Sequence, residues 1–198
     1  MNVQFTDKIE CIFRHTLALI KENGFHGTPM SMIAKHSDVA IGTIYHYFPS
    51  KENLIVELFF YCKTKINTFI FKDINQESSY REQFAFVLQR FCAFQIENTD
   101  IFSFLEQFYN SPFNELAHNK QATGSYEENN VMDFLLKGME INQIRKIDVH
   151  IIAAAYIGAA VTFSKSVIYG KLQFNQQHLD ELIEIIWNGV KQNNEYEL

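Results

Sequence analysis

TPMSMIAKHSDVAIGTIYHYFPSKENL, residues 28 to 54, is the stretch whose reading decides the fold. Thr28 followed by Pro29 supplies an N-cap and a first helical position whose φ is already set. Met32, Ile33, Val39 and Ile44 then provide the few apolar contacts that a small helical pair needs. A first helix over Pro29 to His36 is interrupted at Ser37 and Asp38. A second begins near Ala40 or Ile41 and carries Thr43, Tyr45, His46 and Tyr47. This second helix has little to offer a core beyond Ile44 and Phe48, so its hydroxyl and imidazole tips are better explained by an outside partner. Two short helices, a tight turn and a capped third helix are the layout of a helix-turn-helix reader of DNA.

The flanks agree. Ile9, Ile12, Phe13, Thr16 and Ile20 recur at helical spacing after a start at Thr6 and Asp7, and Asn23 with Gly24 closes that helix. It would lie across the pair and complete a three-helix core. Ser50 caps a fourth helix with Glu52 in its first turn, where an acid suits the dipole, and with Leu54, Leu58 and Tyr61 on one face. Lys51 sits at that amino terminus, where a phosphate is also drawn.

The wording of the stretch resembles the tetracycline-repressor (TetR) family. The matching residues are Ile33 and Ala34 and then the string Gly42, Thr43, Ile44, Tyr45, His46, Tyr47, Phe48, Pro49, Ser50, Lys51. The match covers the first quarter of the chain. Asp38 stands where the family usually has glycine in the turn, and Asp tolerates the left-handed conformation better than most residues. Ala40 and Ile41 replace a serine and a basic or polar residue, removing two possible DNA contacts. The resemblance implies a dimer formed by the last two helices of each subunit as a four-helix bundle, an effector pocket in the carboxy-terminal half, and an effector that moves the fourth helix.

Composition bounds the rest. The chain has 198 residues, with three prolines, eight glycines and no alternating β-type runs, and reads as all-α. The opening MNVQFTDKIE has no apolar core of a signal peptide, and the uncharged run Ile151 to Ser164 is shorter than the roughly 18 residues a membrane helix needs. A cytoplasmic protein with no membrane partner is expected. Cys11, Cys62 and Cys92 are scattered without CxxC or Cys/His spacing, as buried thiols or, alternatively, a redox switch. His118, His150 and His178 share no second-ligand pattern, so neither a metal nor a cofactor is expected. The net charge is −6, yet residues 1–51 hold five basic against four acidic side chains. DNA contact would therefore rest on helix amino termini, hydroxyls and dimer geometry more than on a large positive field.

Beyond Leu54 the pattern alone speaks. The fourth helix runs to Phe71 and a break spans Asp73 to Ser79. Phe84, Val87, Leu88, Phe91 and Gln95 then share one helical face, with Phe86 and Phe94 opposite. Ile101, Phe104, Leu105 and Phe108 repeat the pattern after Asn98 and Thr99. Eight of the 19 phenylalanines fall between Phe84 and Phe113, as a filled core or as the wall of a cavity. Ser111 to Asn130 reads as a long polar connection with at most a short helix. A helix at Val131 to Ile141, a break at Asn142 to Lys146 and a long helix started by Asp148 follow. The run Ala153, Ala154, Ala155, Gly158, Ala159, Ala160 permits close approach by another helix. Gly170 ends it, and Leu179, Leu182, Ile183, Ile186, Trp187 and Val190 mark the last helix. That pair of helices would serve a dimer or be buried within one subunit.

The expectation is an all-α chain. Residues 1–50 form a three-helix helix-turn-helix DNA-binding domain, and residues 51–198 a helical effector-binding and dimerisation domain. The function expected is that of a ligand-responsive transcriptional regulator, a repressor. It would bind a palindromic double-stranded operator as a homodimer and be released by a small, apolar or aromatic effector. Tyr45, Tyr47, Thr43 and Lys51 would contact DNA, with Thr28, Ser31, Gly42 and His46 as secondary contacts. Phe91, Phe94, Phe104, Phe108, Tyr109 and Tyr156 would line the cavity, with Glu106 or Gln107 as its polar anchor. No nucleophile elbow, P-loop, HExxH or paired-carboxylate motif argues for an enzyme. The alternative is an all-helical lipid or small-molecule carrier, or an enzyme, with a vestigial helix-turn-helix.

Overall fold

A computed structural model describes residues 7–122 and 130–192. The expected start at Thr6, the polar text around Gly124, Ser125 and Asn129, and the tail past Gln192 lie outside these residues. Among the described residues are ten helices and no strand: α1 Asp7–Asn23, α2 Met30–His36, α3 Ile41–Tyr47, α4 Lys51–Phe71, α5 Tyr80–Glu97, α6 Thr99–Tyr109, α7 Phe113–Ala122, α8 Asn130–Glu140, α9 Val149–Ile168 and α10 Gln176–Val190. They form two compact units, Met1–Thr64 with Asn98–Glu127 and Lys65–Glu97 with Glu128–Leu198.

Local chemistry sets most boundaries. Gly24 ends α1 at φ +68, and Asp38 turns the chain between α2 and α3 at φ +52, a left-handed position that Asp tolerates. The Ser50 hydroxyl accepts from the Asn53 amide at 3.1 Å and caps α4. Ser79 and Glu82 make a reciprocal capping box on α5. The Glu82 amide donates to the Ser79 hydroxyl at 3.3 Å, and the Glu82 carboxylate accepts from the Ser79 amide at 2.8 Å. The hydrogen bonds from Ser79 hold the Glu82 carboxyl below its ordinary pKa. Asp148 caps α9 by accepting from the His150 amide, as its position predicts.

Two expectations need correcting. Thr28 does not cap α2: its hydroxyl donates to the Gly24 carbonyl at 2.8 Å, and Pro29 occupies the cap position. The polar stretch after Ser111 is not mainly a connection either, since α7 fills ten of its residues. Asn, His, Lys and Gln are serviceable in an exposed helix once Ala117 and Phe113 have something to pack on, and propensity alone does not reveal that.

In the first unit, α1 packs on α2 and α6, α2 on α3, and α6 on α7. Phe13 meets Phe48 and Tyr61 at ring-centroid distances of 5.4 and 5.0 Å, and Phe59 stacks on Phe108 at 4.2 Å and 7°. The second unit centres on α5 against α9, with α8 on α9 and α10 on both. The Tyr156 hydroxyl donates to the Phe84 carbonyl at 2.8 Å and that of Ser164 to the Cys92 carbonyl at 3.5 Å. Both pairs lie 72 residues apart, so α5 and α9 run in the same direction in constant register. Ile144 and Lys191 form a lone antiparallel bridge that fastens the α8–α9 turn to the end of α10.

By length and composition α9 could cross a membrane, with a mean hydropathy of 1.7. The uncharged run seen in the sequence understated it, because the helix extends past that run at both ends. Ile152, Tyr156, Ala160 and Phe163 are buried in the core, while Ile151, Ala154, Ala155 and Gly158 are exposed.

Candidate nucleic-acid interface

The seven residues of α3 bury one side chain, Ile44, which is fully enclosed. Tyr45 is 48% exposed, Ile41 44% and Tyr47 37%, and His46 is open to solvent. Exposed aromatics cost solvation without a partner, and here they are gathered on one short element. The His46 ring meets Tyr47 edge-on at 5.5 Å, and Tyr47 lies 6.3 Å from Phe48, so Tyr47 is partly held by packing. Thr43 is half-buried and Ser31, on α2, is exposed. A Cβ built on Gly42 would meet nothing within 4 Å. The fold itself does not require glycine there, whereas a surface that approached the α3 backbone closely would.

Two of the expected contacts have other employment. Thr28 is fully buried, its hydroxyl spent on Gly24. The Lys51 ammonium donates to the Phe25 carbonyl. Partial burial lowers the Lys51 pKa, and the neighbouring Glu52 opposes that shift. Both side chains fix the loop between α1 and α2 and the start of α4. Sequence spacing could not reveal this, because the Lys51 partner is a backbone carbonyl 26 residues away. Ile41, which stands where the family resemblance implies a basic or polar contact, is exposed on α3.

The expected effector residues divide between the two units. In the first unit, Phe104 and Phe108 are fully buried, Phe104 against Phe25 at 5.8 Å and Phe108 against Phe59. Tyr109 is exposed and Glu106 half-buried. The Gln107 amide donates to the Ile20 carbonyl at 3.3 Å and to the Ser103 hydroxyl at 3.4 Å. In the second unit, Phe91 and Phe94 are buried, and Tyr156 is fully enclosed against Phe84 with its hydroxyl committed. Cys62 and Cys92 are buried, and desolvation pushes both thiols up, Cys92 to about 11. Both therefore stay neutral and packed.

A short helix α2 anchored by Met30, Ile33 and Ala34, a tight turn, and α3 anchored by Ile44 alone, within an all-helical first unit, are the layout of the helix-turn-helix class of regulators. Residues 12–58 match the family model for bacterial regulatory proteins of the tetR family, and residues 59–192 match that for the tetracyclin repressor-like C-terminal domain. The chain belongs to the TetR family. It is 40% identical over 75 residues to the fatty acid metabolism regulator protein of Bacillus subtilis, covering 36% of this chain and 37% of that one. It is 30% identical over 115 residues to an uncharacterized HTH-type transcriptional regulator of Haemophilus influenzae, covering 58% and 62%. These matches thus span between about a third and two thirds of the relatives' lengths. The structure of FadR from Bacillus subtilis in complex with stearoyl-CoA superposes with a TM-score of 0.72 at 21% identity, over 91% of this chain and 98% of that one.

Proposed function

We propose that this chain represses transcription by binding a palindromic operator as a homodimer and that a small, mostly apolar effector releases it. The observation that carries the reading is α3, which buries Ile44 and turns Ile41, Tyr45, His46 and Tyr47 outward. A helix of this size enters a major groove, where hydroxyls and ring edges meet phosphates and bases. Thr43, Tyr45, His46 and Tyr47 form the reading surface. Ser31 and the bare backbone at Gly42 stand beside it, and Thr28 and Lys51 hold it in place. Residues 1–50 read DNA, and residues 51–198 bind the effector and pair the subunits through the exposed stripe of α9 and the outer face of α10.

An effector moves the equilibrium only by preferring the form that does not bind DNA, and a hundredfold preference is worth about 2.7 kcal/mol. The apolar class is supported by the stearoyl-CoA bound to a structural relative and by the buried phenylalanines of both units. Selection of bound fragments from random DNA tests the reading. A recovered palindrome whose half-sites are bound together, and released by a hydrophobic compound that also raises Tm, is the expected result. Recovery of no sequence preference at low salt would refute it.

A further inference from the structure

Gln95 is 4% exposed, and neither its Nε2 nor its Oε1 has a hydrogen-bond partner within the chain. Among the described residues it is the side chain with two buried polar atoms left unmatched. Four other buried polar side chains of the same unit are satisfied. Gln83 donates to the Ser78 carbonyl at 2.9 Å, Tyr80 to the Phe134 carbonyl at 3.0 Å, Tyr156 to Phe84 and Ser164 to Cys92. A buried carboxamide without partners leaves the desolvation of both its polar groups uncompensated, a cost that an apolar residue of similar volume avoids. A glutamine kept there calls for a partner from outside the chain.

The surroundings specify what that partner looks like. On α5, Gln95 lies one turn beyond Phe91, on the same face, and Cys92 and Phe94 are buried beside it in sequence. Phe94 meets Phe69 edge-on at 5.3 Å. The hydrogen bond from Ser164 of α9 to the Cys92 carbonyl of α5 lies one turn before Gln95. A carboxamide offers one acceptor and one donor side by side, matched by an amide or by an un-ionised carboxyl group. An ionised carboxylate supplies no donor for Oε1 and pays desolvation among phenylalanines.

We infer that Gln95 is the polar anchor of a ligand site in the second unit, and that it takes an apolar molecule through an amide or neutral carboxyl group. This rests on the effector reading above and assigns that site a recognition group other than Glu106 or Gln107. The probes are dodecanamide, with donor and acceptor, and methyl dodecanoate, an acceptor alone, titrated against the full-length parent and Gln95→Leu. Binding is followed by Tm and by the Gln95 side-chain amide NMR signals, which the variant identifies. The parent is expected to bind the amide about tenfold more tightly than the ester, with Gln95 signals shifting on addition. In Gln95→Leu the preference vanishes while the ester still binds, and the unliganded variant melts no lower than the parent. Equal preference in parent and variant, with unmoved Gln95 signals, overturns the anchor and leaves the effector reading standing, with Gln95 served by water only. If neither probe nor any other hydrophobic compound stabilises the parent, the effector reading falls and the anchor with it.

Discussion

Placing a glutamate at position 155 is the sharpest test of how two copies meet. Ala155 is exposed on α9, on the same face as exposed Ile151, 62% open, and Gly158, while Tyr156 and Ala160 turn into the core. In a single subunit Ala155→Glu therefore points into water and costs only the helix-propensity difference, a few tenths of a kcal/mol. In an isologous dimer the same substitution appears twice, once from each copy. Burying an unpaired carboxylate costs several kcal/mol at full burial. Taking about 2 kcal/mol for each, to allow for a partly wet seam, gives about 4 kcal/mol per dimer, which weakens association about a thousandfold. Sedimentation velocity across about 0.1 to 10 micromolar should show the parent as a dimer and the variant as a folded monomer, with circular dichroism unchanged. A parent that sediments as a monomer throughout, or a variant that dimerises as the parent does, refutes the seam.

Tyr45→Phe should weaken binding to the selected operator about fivefold, the worth of one hydroxyl contact, and leave Tm unchanged because the ring stays exposed. Fluorescence anisotropy with unchanged affinity would remove Tyr45 from the reading surface. Lys51→Ala should lower the melting temperature by a few degrees, since a charge-assisted bond to the Phe25 carbonyl is worth about 1.5–3 kcal/mol. The salt slope of DNA binding should stay as it is, and a fall of about one per subunit would instead place Lys51 on a phosphate. Gly138→Ala ordinarily stabilises a helix by about 1 kcal/mol, but a Cβ there would stand 2.3 Å from the Tyr80 ring and hydroxyl, so net destabilisation is expected. A melting temperature equal to or above the parent's would show that Tyr80 moves aside freely.

The helical order was legible because each long helix carries its own period and punctuation. Gly24 and Gly170 close helices at positive φ, Asp148 opens one, and Ile44 stands alone as the buried residue of α3. What escaped were decisions made at a distance. α7 needs Phe113 to meet Phe25 at 5.1 Å before its polar sequence has a reason to be helical. Thr28 and Lys51 carry residue types that suit a phosphate, and only the folded loop shows their hydrogens already spent on carbonyls. Gln95 and Gln107 are the same residue type in neighbouring helices, one unpartnered and one bonded across to Ile20, and no spacing rule separates them.

Phe25 belongs to a four-residue turn that a diagram would draw as a slack connector between α1 and α2. Its carbonyl receives both the Thr28 amide and the Lys51 ammonium, and its ring is wedged edge-on against Phe104 of α6 and Phe113 of α7. Mechanically this makes the turn a keystone. The start of α2, the start of α4 and the faces of α6 and α7 share one residue, and displacing any of them strains the others. A rotation of α6 would thus arrive at the reading helices as a rigid tilt, with no need for the loop to flex or for the message to travel the length of α4.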